Sequence, residues 1–139
     1  MPQAILNNPD LWRDRFPKPA PDGHKYDRGH SVILGADQHT GATRLAAEAC
    51  SRIGSGLVTV HSSTRADLYR QVLPADIMIA EGRLDGLNRM NTVLAGPGGC
   101  SEHQAKLVSK AAADLPIILD ADAIRLAHRV NSDAAILTP

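Results

Sequence analysis

SVILGADQHTGATRLAAEACSRIGSGLVTVH, residues 31–61, decides the fold. Ser31-Val32-Ile33-Leu34-Gly35 is a short apolar run closed by glycine, the pattern of a strand buried on both faces of a parallel sheet. Residues 41–53 then place Leu45, Ala46, Ala49, Cys50 and Ile53 at helical spacing, which predicts a helix with that stripe facing a core. Gly54 and Gly56 end it. Leu57-Val58-Thr59-Val60-His61 reads as a second strand. Strand, helix and strand within about thirty residues make a βαβ unit, whose crossover is right-handed.

The alternation continues downstream. Further strands are expected at 77–80, 91–95, 116–119 and 134–137, and helices at 66–71, 102–113 and from Asp122 to about His128. Ser101 is suited to cap the second of these helices and Asp122 the third. Such alternation implies an α/β fold, a doubly wound parallel sheet with helices on both faces. The last strand runs to within two residues of Pro139 with no helix after it, so the sheet is expected to be truncated. Residues 1–30 differ in character. Pro2, Pro9, Pro17, Pro19 and Pro21 punctuate a polar segment that reads as an arm, with a short turn after Asn8 and Trp12 as its anchor. The chain therefore divides into an arm, 1–30, and an α/β domain, 31–139.

Composition narrows the function classes. Fifteen basic residues balance fifteen acidic ones, which argues against a nucleic-acid surface. Two cysteines cannot make a disulfide framework, and no Cys/His spacing of the zinc type surrounds them. The N-terminus lacks the pattern of a signal peptide, and no apolar run approaches ~18 residues. A reduced, cytoplasmic, soluble protein is the expectation.

Two glycine-bearing loops follow strands. Gly35 to Ala42, including Thr40 and Gly41, is either a ligand loop at a helix start or a simple strand-to-helix turn. Gly96-Pro97-Gly98-Gly99 has more glycine than a turn requires, and ligands of open α/β sheets lie beyond the carboxyl ends of strands. Asp120 and Asp122, two apart on extended backbone, point to one side and could order a magnesium-bound phosphate or a sugar hydroxyl. Their structural alternative is an N-cap at Asp122 and an Asp120 held by loop amides. His24, Lys25, Asp27, Arg28 and His30 could make a polar binding patch but read more readily as a solvated loop with local ion pairs, and His39, His61, His103 and His128 as incidental, without partners at ligand spacing. Cys50 reads as a core thiol. Cys100, near a helix start, is placed to have a lowered pKa, although no base accompanies it.

In order along the chain, His24-Lys25-Tyr26-Asp27-Arg28-Gly29-His30, Thr40-Gly41-Ala42, Ile53-Gly54-Ser55-Gly56-Leu57-Val58-Thr59-Val60, Ala95-Gly96-Pro97-Gly98, Leu119-Asp120-Ala121-Asp122-Ala123 and Ile136-Leu137-Thr138-Pro139 resemble the ADP/ATP-dependent NAD(P)H-hydrate dehydratases. The resemblance covers roughly residues 8–139 and only the opening half of the family's domain. It implies a three-layer ribokinase-like fold and a lyase activity that repairs hydrated NADH or NADPH. A phosphoryl group passes from ADP or ATP, with Mg2+, to the added hydroxyl, and phosphate then leaves. It also implies that Ala42 and a glycine of the 96–99 loop touch the hydrate, with Thr40, Gly41, Gly96, Gly98, Gly99, Asp120 and Asp122 shaping the same crevice. Departures are Cys100, where the family loop ends in glycine, and Ala36-Asp37-Gln38-His39, where glycine and small polar residues are usual. The family's His-x-Gly-Glu, its later nucleotide-binding segment and its Gly-x-Gly-Asp loop with the catalytic base are not among the 139 residues. The chain is expected to be catalytically incomplete, with no catalytic residue of its own. The alternative is a non-catalytic nucleotide-binding or self-associating module, a homo-oligomer or one half of a complementing pair.

Overall fold

Each apolar run becomes a strand in the computed structural model, which describes residues 5–84, 89–111, 115–130, 133 and 135–139. The strands are β1 His30–Leu34, β2 Leu57–His61, β3 Ile77–Ala80, β4 Thr92–Ala95, β5 Ile117–Asp120 and β6 Ala135–Thr138. All neighbours are parallel, in the order β3-β2-β1-β4-β5-β6. Val32 of β1 pairs with Thr59 on one side and Val93 on the other. Strand starts differ from the expected ones by a single residue at most.

Side-chain alternation sorts the core into two layers. Ile33, Val58, Val60 and Ile77 face α1 (Thr40–Arg52) and α2 (Ala66–Val72), which contribute Ala47 and Tyr69. Val32, Leu34, Val93, Ala95, Ile117 and Leu119 face the opposite way, against Ala105 and Val108 of α3 (Glu102–Ala111) and Ala123 and Leu126 of a 3-10 helix, Ala121–Arg129. Each fully buried Val, Leu or Ile contributes about 1.5–3 kcal/mol. Helices thus cover both faces, as the alternation requires.

Three local expectations need correction. On α1 the buried residues are Thr43 and Ala47, with Ala46 and Cys50 packed beside them. Leu45 is 73% and Ile53 65% exposed, so the buried stripe is rotated from the one drawn through the larger side chains. The reason lies in Thr43, whose hydroxyl has buried partners described below. The segment after β5 is a 3-10 helix because its buried residues, Ala123 and Leu126, recur every third position. Asp120 rather than Asp122 stands at its N-cap position, and no side chain caps it. For the helix expected at 102–113, residues 112 and 113 lie outside the described residues. β6 is exposed along its length, with Ile136 at 57% and Leu137 at 47%.

The arm carries three short 3-10 turns, Pro9–Leu11, Arg13–Arg15 and Lys25–Arg28. Asn8 caps the first, its side chain accepting from the Asp10 N–H at 2.9 Å. Trp12 anchors nothing in the core: it is exposed and meets only the Phe16 ring, 6.1 Å between centroids. The tie to the sheet comes later. Gly56 N–H donates to Arg28 O at 3.3 Å and Leu57 N–H to Gly29 O at 3.1 Å. A Cβ on Gly56 would collide with the Lys25 carbonyl. The two motifs His24–His30 and Ile53–Val60 therefore meet each other, at the amino ends of β1 and β2.

Gly56→Ala is expected to lower the unfolding free energy by about 1–3 kcal/mol in urea, since the clash is with backbone and cannot be relieved by a rotamer change. Gly41→Ala, where a Cβ meets nothing within 4 Å inside α1, is expected to be neutral or stabilising by about 0.5–1 kcal/mol. Equal destabilisation by both would show that the arm does not seat on Gly56.

Candidate functional site

β1 and β4 lie side by side, with Ser31, Val32 and Ile33 paired to Thr92, Val93 and Leu94. From β1 the chain turns through α1 toward β2, and from β4 through α3 toward β5. The two loops consequently diverge, and a crevice opens beyond the carboxyl ends at this reversal of strand order.

Thr43 joins the two walls. Its hydroxyl accepts from Ala36 N–H at 3.0 Å and donates to Pro97 O at 2.9 Å, fully buried. Ala36 is fixed from its other side by the Tyr69 hydroxyl, which donates to Ala36 O at 2.9 Å. Burial raises the Tyr69 pKa, so the phenol keeps its proton and remains a donor. Gln104 holds the back wall: its side-chain N–H donates to Gly35 O at 2.6 Å while its Oε1 accepts from Ser101 N–H at 2.8 Å. In return Gln104 N–H donates to Ser101 Oγ at 3.3 Å, closing a capping box at the start of α3.

The second loop is shaped by its glycines. Gly96 and Gly98 have φ of 113° and 87°, a region that disfavours any side chain, and a Cβ would strike Asp120 O at Gly96 and His39 O at Gly98. Gly99 shares the positive φ, 122°, but a Cβ there would meet only Asp122 Oδ2, at 3.8 Å. The resulting crevice, about 260 Å³, is lined by Asp37, Gln38, His39, Gly98, Gly99, Cys100, Ser101, Gln104 and Asp122.

Of the residues singled out in the sequence, Gly98, Gly99 and Asp122 line this crevice and Gly96 packs behind it. Thr40, Gly41 and Ala42 form the first turn of α1 next to His39 but are not on the crevice lining. Asp120 and Asp122 do not act as a pair on extended backbone. Ala121 between them has φ of 45°, and Asp120 accepts from the Thr138 hydroxyl at 2.7 Å.

The histidines also sort differently from the reading of solvated or incidental rings. His30 is buried as the first residue of β1, with Nε2 2.7 Å from Thr59 Oγ1, and His61 is buried with Nε2 2.9 Å from Gly82 O. The rest of the His24–Arg28 cluster is exposed, as expected. Cys100 departs as well. Burial raises its pKa, outweighing the opposing influence of Arg125. Thr43, Tyr69 and Gln104 were not read as site residues. Signals existed for two: Ser101-Glu102-His103-Gln104 has capping-box spacing, and Thr43, Ala47 and Cys50 share a helical face.

A family model described as NAD(P)H-hydrate dehydratase matches residues 30–139. The chain belongs to this family. It is 36% identical over 141 residues to a bifunctional NAD(P)H-hydrate repair enzyme of Coxiella burnetii, covering 92% of this chain and 29% of that protein. A ribokinase-like superfamily protein of Enterococcus faecalis superposes over the whole chain with a TM-score of 0.75 at 21% identity, 56% of that structure being covered. The ADP/ATP-dependent NAD(P)H-hydrate dehydratase of Bacillus subtilis, co-crystallized with ATP/Mg2+, gives a TM-score of 0.70 at 23% identity over 84% of this chain and 45% of its own. The fold is therefore ribokinase-like, and the chain spans about a third to a half of the length of such family members. No helix among the described residues is long and apolar enough to cross a membrane.

Thr43→Val removes both bonds while keeping the shape, stranding Ala36 N–H and Pro97 O. Its expected cost is about 2–4 kcal/mol in urea denaturation, with Thr43→Ser retaining most of the stability. A valine variant as stable as wild type would show that the loops are held by something else. For Cys100, a raised pKa means less thiolate at a given pH. In a Cys50→Ser background, iodoacetamide alkylation at pH 8 should be slower than that of a free cysteine, and its rate should rise at higher pH. An alkylation midpoint at or below that of free cysteine would contradict the burial effect.

Proposed function

We propose that this chain provides the substrate-holding part of NAD(P)H-hydrate repair, the ADP- or ATP-dependent dehydration of hydrated nicotinamide cofactors. The observation that carries the reading is the crevice at the β1/β4 reversal, walled by 36–39 and 98–101 and locked by Thr43. The hydrate enters against Gly98 and Gly99, where the backbone permits close approach, and Asp122 accepts a hydroxyl. Thr40, Gly41 and Ala42 bound the mouth on the α1 side, and Gly96 and Asp120 support the loop from behind. Membership of the family and the printed activity of its relatives support this assignment.

The nucleotide and its metal do not fit the residues in hand. Among the described residues no three His, Cys, Asp or Glu side chains converge on a point, and no Lys or Arg lines the crevice. No step through ADP, ATP or Mg2+ is derived from this chain. Its own lining residues bind and orient the hydrate. A cytoplasmic location and an assembly of several chains accord with the same reading.

A thermal-shift titration tests it. NADH hydrate is expected to raise Tm in a saturable way, ADP with Mg2+ is not, and Asp122→Leu, which removes the proposed hydroxyl acceptor from the crevice, should remove most of the effect. No stabilisation at millimolar hydrate, or stabilisation unaffected by Asp122→Leu, would sink the assignment. Mixed with hydrate and ADP or ATP, these residues alone should produce no NADH by absorbance; turnover would count against a purely substrate-holding role.

A second reading is favoured by one observation, the exposed β6 with Ile136 and Leu137. An exposed apolar edge strand pairs readily with another chain. A self-associating module should sediment as a dimer or larger and fall to monomer on Ile136→Lys. A monomer at all concentrations would exclude it.

A further inference from the structure

A second pocket of about 280 Å³ adjoins the crevice, beyond the carboxyl end of β2. It shares Asp37, Ser101 and Gln104 with the crevice and adds His61, Ser62, Ser63, Thr64 and His103. Ligand pockets are usually about 300–1,000 Å³, so neither space is typical alone while the two together are. The dividing residue is Asp37. Thr64 donates its hydroxyl to Asp37 Oδ1, and the loop is tightened by Arg65 N–H donating to Ser62 Oγ at 3.1 Å. We propose that the two spaces form one site for the dinucleotide hydrate, and that Asp37 selects the hydrate of NADH over that of NADPH by reading the adenosine ribose diol. The inference rests on the hydrate-binding reading above.

The argument is one of charge and hydrogen-bonding type. Serine, threonine and imidazole groups beside a carboxylate suit a sugar, since a carboxylate accepts from vicinal hydroxyls. Dinucleotide-binding proteins use the same chemistry when an acidic residue takes the ribose 2′-hydroxyl, and an arginine when a 2′-phosphate must be accommodated. Here the charged side chains lining the two spaces are the carboxylates Asp37 and Asp122, with no Lys or Arg among the described lining residues. Of the nearby guanidinium groups, Arg65 donates its Nε to the main-chain O of Asp37 at 2.9 Å without lining either space, and Arg125 donates to Glu102 Oε1 at 3.0 Å and Cys100 O at 2.9 Å. A 2′-phosphate reaching Asp37 would thus meet its carboxylate among described lining residues that include no Lys or Arg, and rejection by a like charge is an effective source of specificity. The crevice end, at Gly98 and Gly99, is left for the nicotinamide hydrate.

Titration calorimetry of the chain with each hydrate separates the outcomes. NADH hydrate is expected to bind at least about tenfold more tightly than NADPH hydrate. Asp37→Asn keeps an oxygen acceptor for Thr64 and removes the charge, so it should narrow the ratio to about threefold or less, chiefly by improving NADPH hydrate. Equal affinities in the unaltered chain, or a preference unmoved by Asp37→Asn, overturn the inference and leave the hydrate-binding reading intact. Tighter binding of NADPH hydrate that Arg65→Ala abolishes would assign the phosphate to Arg65, which also overturns it. If neither hydrate binds, both the inference and the reading beneath it fall.

Discussion

One buried hydroxyl, that of Thr43, sets the relation between the two walls on which everything at the carboxyl end of the sheet depends. Ala36 and Pro97 belong to loops 61 residues apart, and the parallel pairing of β1 with β4 brings them close without fixing their separation. Thr43 supplies both an acceptor and a donor to main-chain groups that have no access to water. The net gain from two such bonds is modest, whereas leaving either partner buried and unmatched costs about 1–3 kcal/mol each. That asymmetry makes the crevice width a discrete choice. It also explains why α1 turns a threonine inward and leaves Leu45 in solvent.

The two ends of the sheet use glycine for opposite purposes. At the amino end Gly56 removes a side chain so that the arm's Lys25–Arg28 turn can lie against backbone. At the other end Gly96 and Gly98 do the same for the Asp120 and His39 carbonyls, compacting the loop until the space is filled. Gly99 is where compaction stops, its missing side chain leaving a void bounded by Asp122. Several glycines in one motif therefore do not imply several ligand contacts. Here Gly96 serves packing, Gly98 packs against His39 and also lines the crevice, and Gly99 borders its open space.

Much of this was legible in the chain because periodicity and punctuation reflect burial directly. Six apolar runs gave six strands, and glycine after Leu34 and Ala95 marked the loops that flank the strand reversal. What escaped depends on partners distant in sequence. Thr43 reads as an ordinary helix residue until Pro97 is beside it, and His30 as a loop residue until Thr59 stands opposite. The pairing of Asp120 with Asp122 failed on a single dihedral, the positive φ of Ala121, which alanine adopts seldom enough that no propensity suggests it. The lowered pKa expected for Cys100 rests on its helix terminus alone, and desolvation is the larger effect.

The crevice also bounds the chemistry these residues can perform. A wall of glycine backbone, a buried amide and two carboxylates can orient a hydroxylated ring and keep out competing anions. It offers no cation to a transferring phosphate, and its carboxylates would oppose charge that builds on phosphoryl oxygens. Contacts of this kind hold ground state and transition state about equally, and uniform binding lowers KM without raising kcat. A phosphoryl transfer in this crevice would therefore need cationic donors that its described side-chain lining, free of Lys and Arg, does not supply.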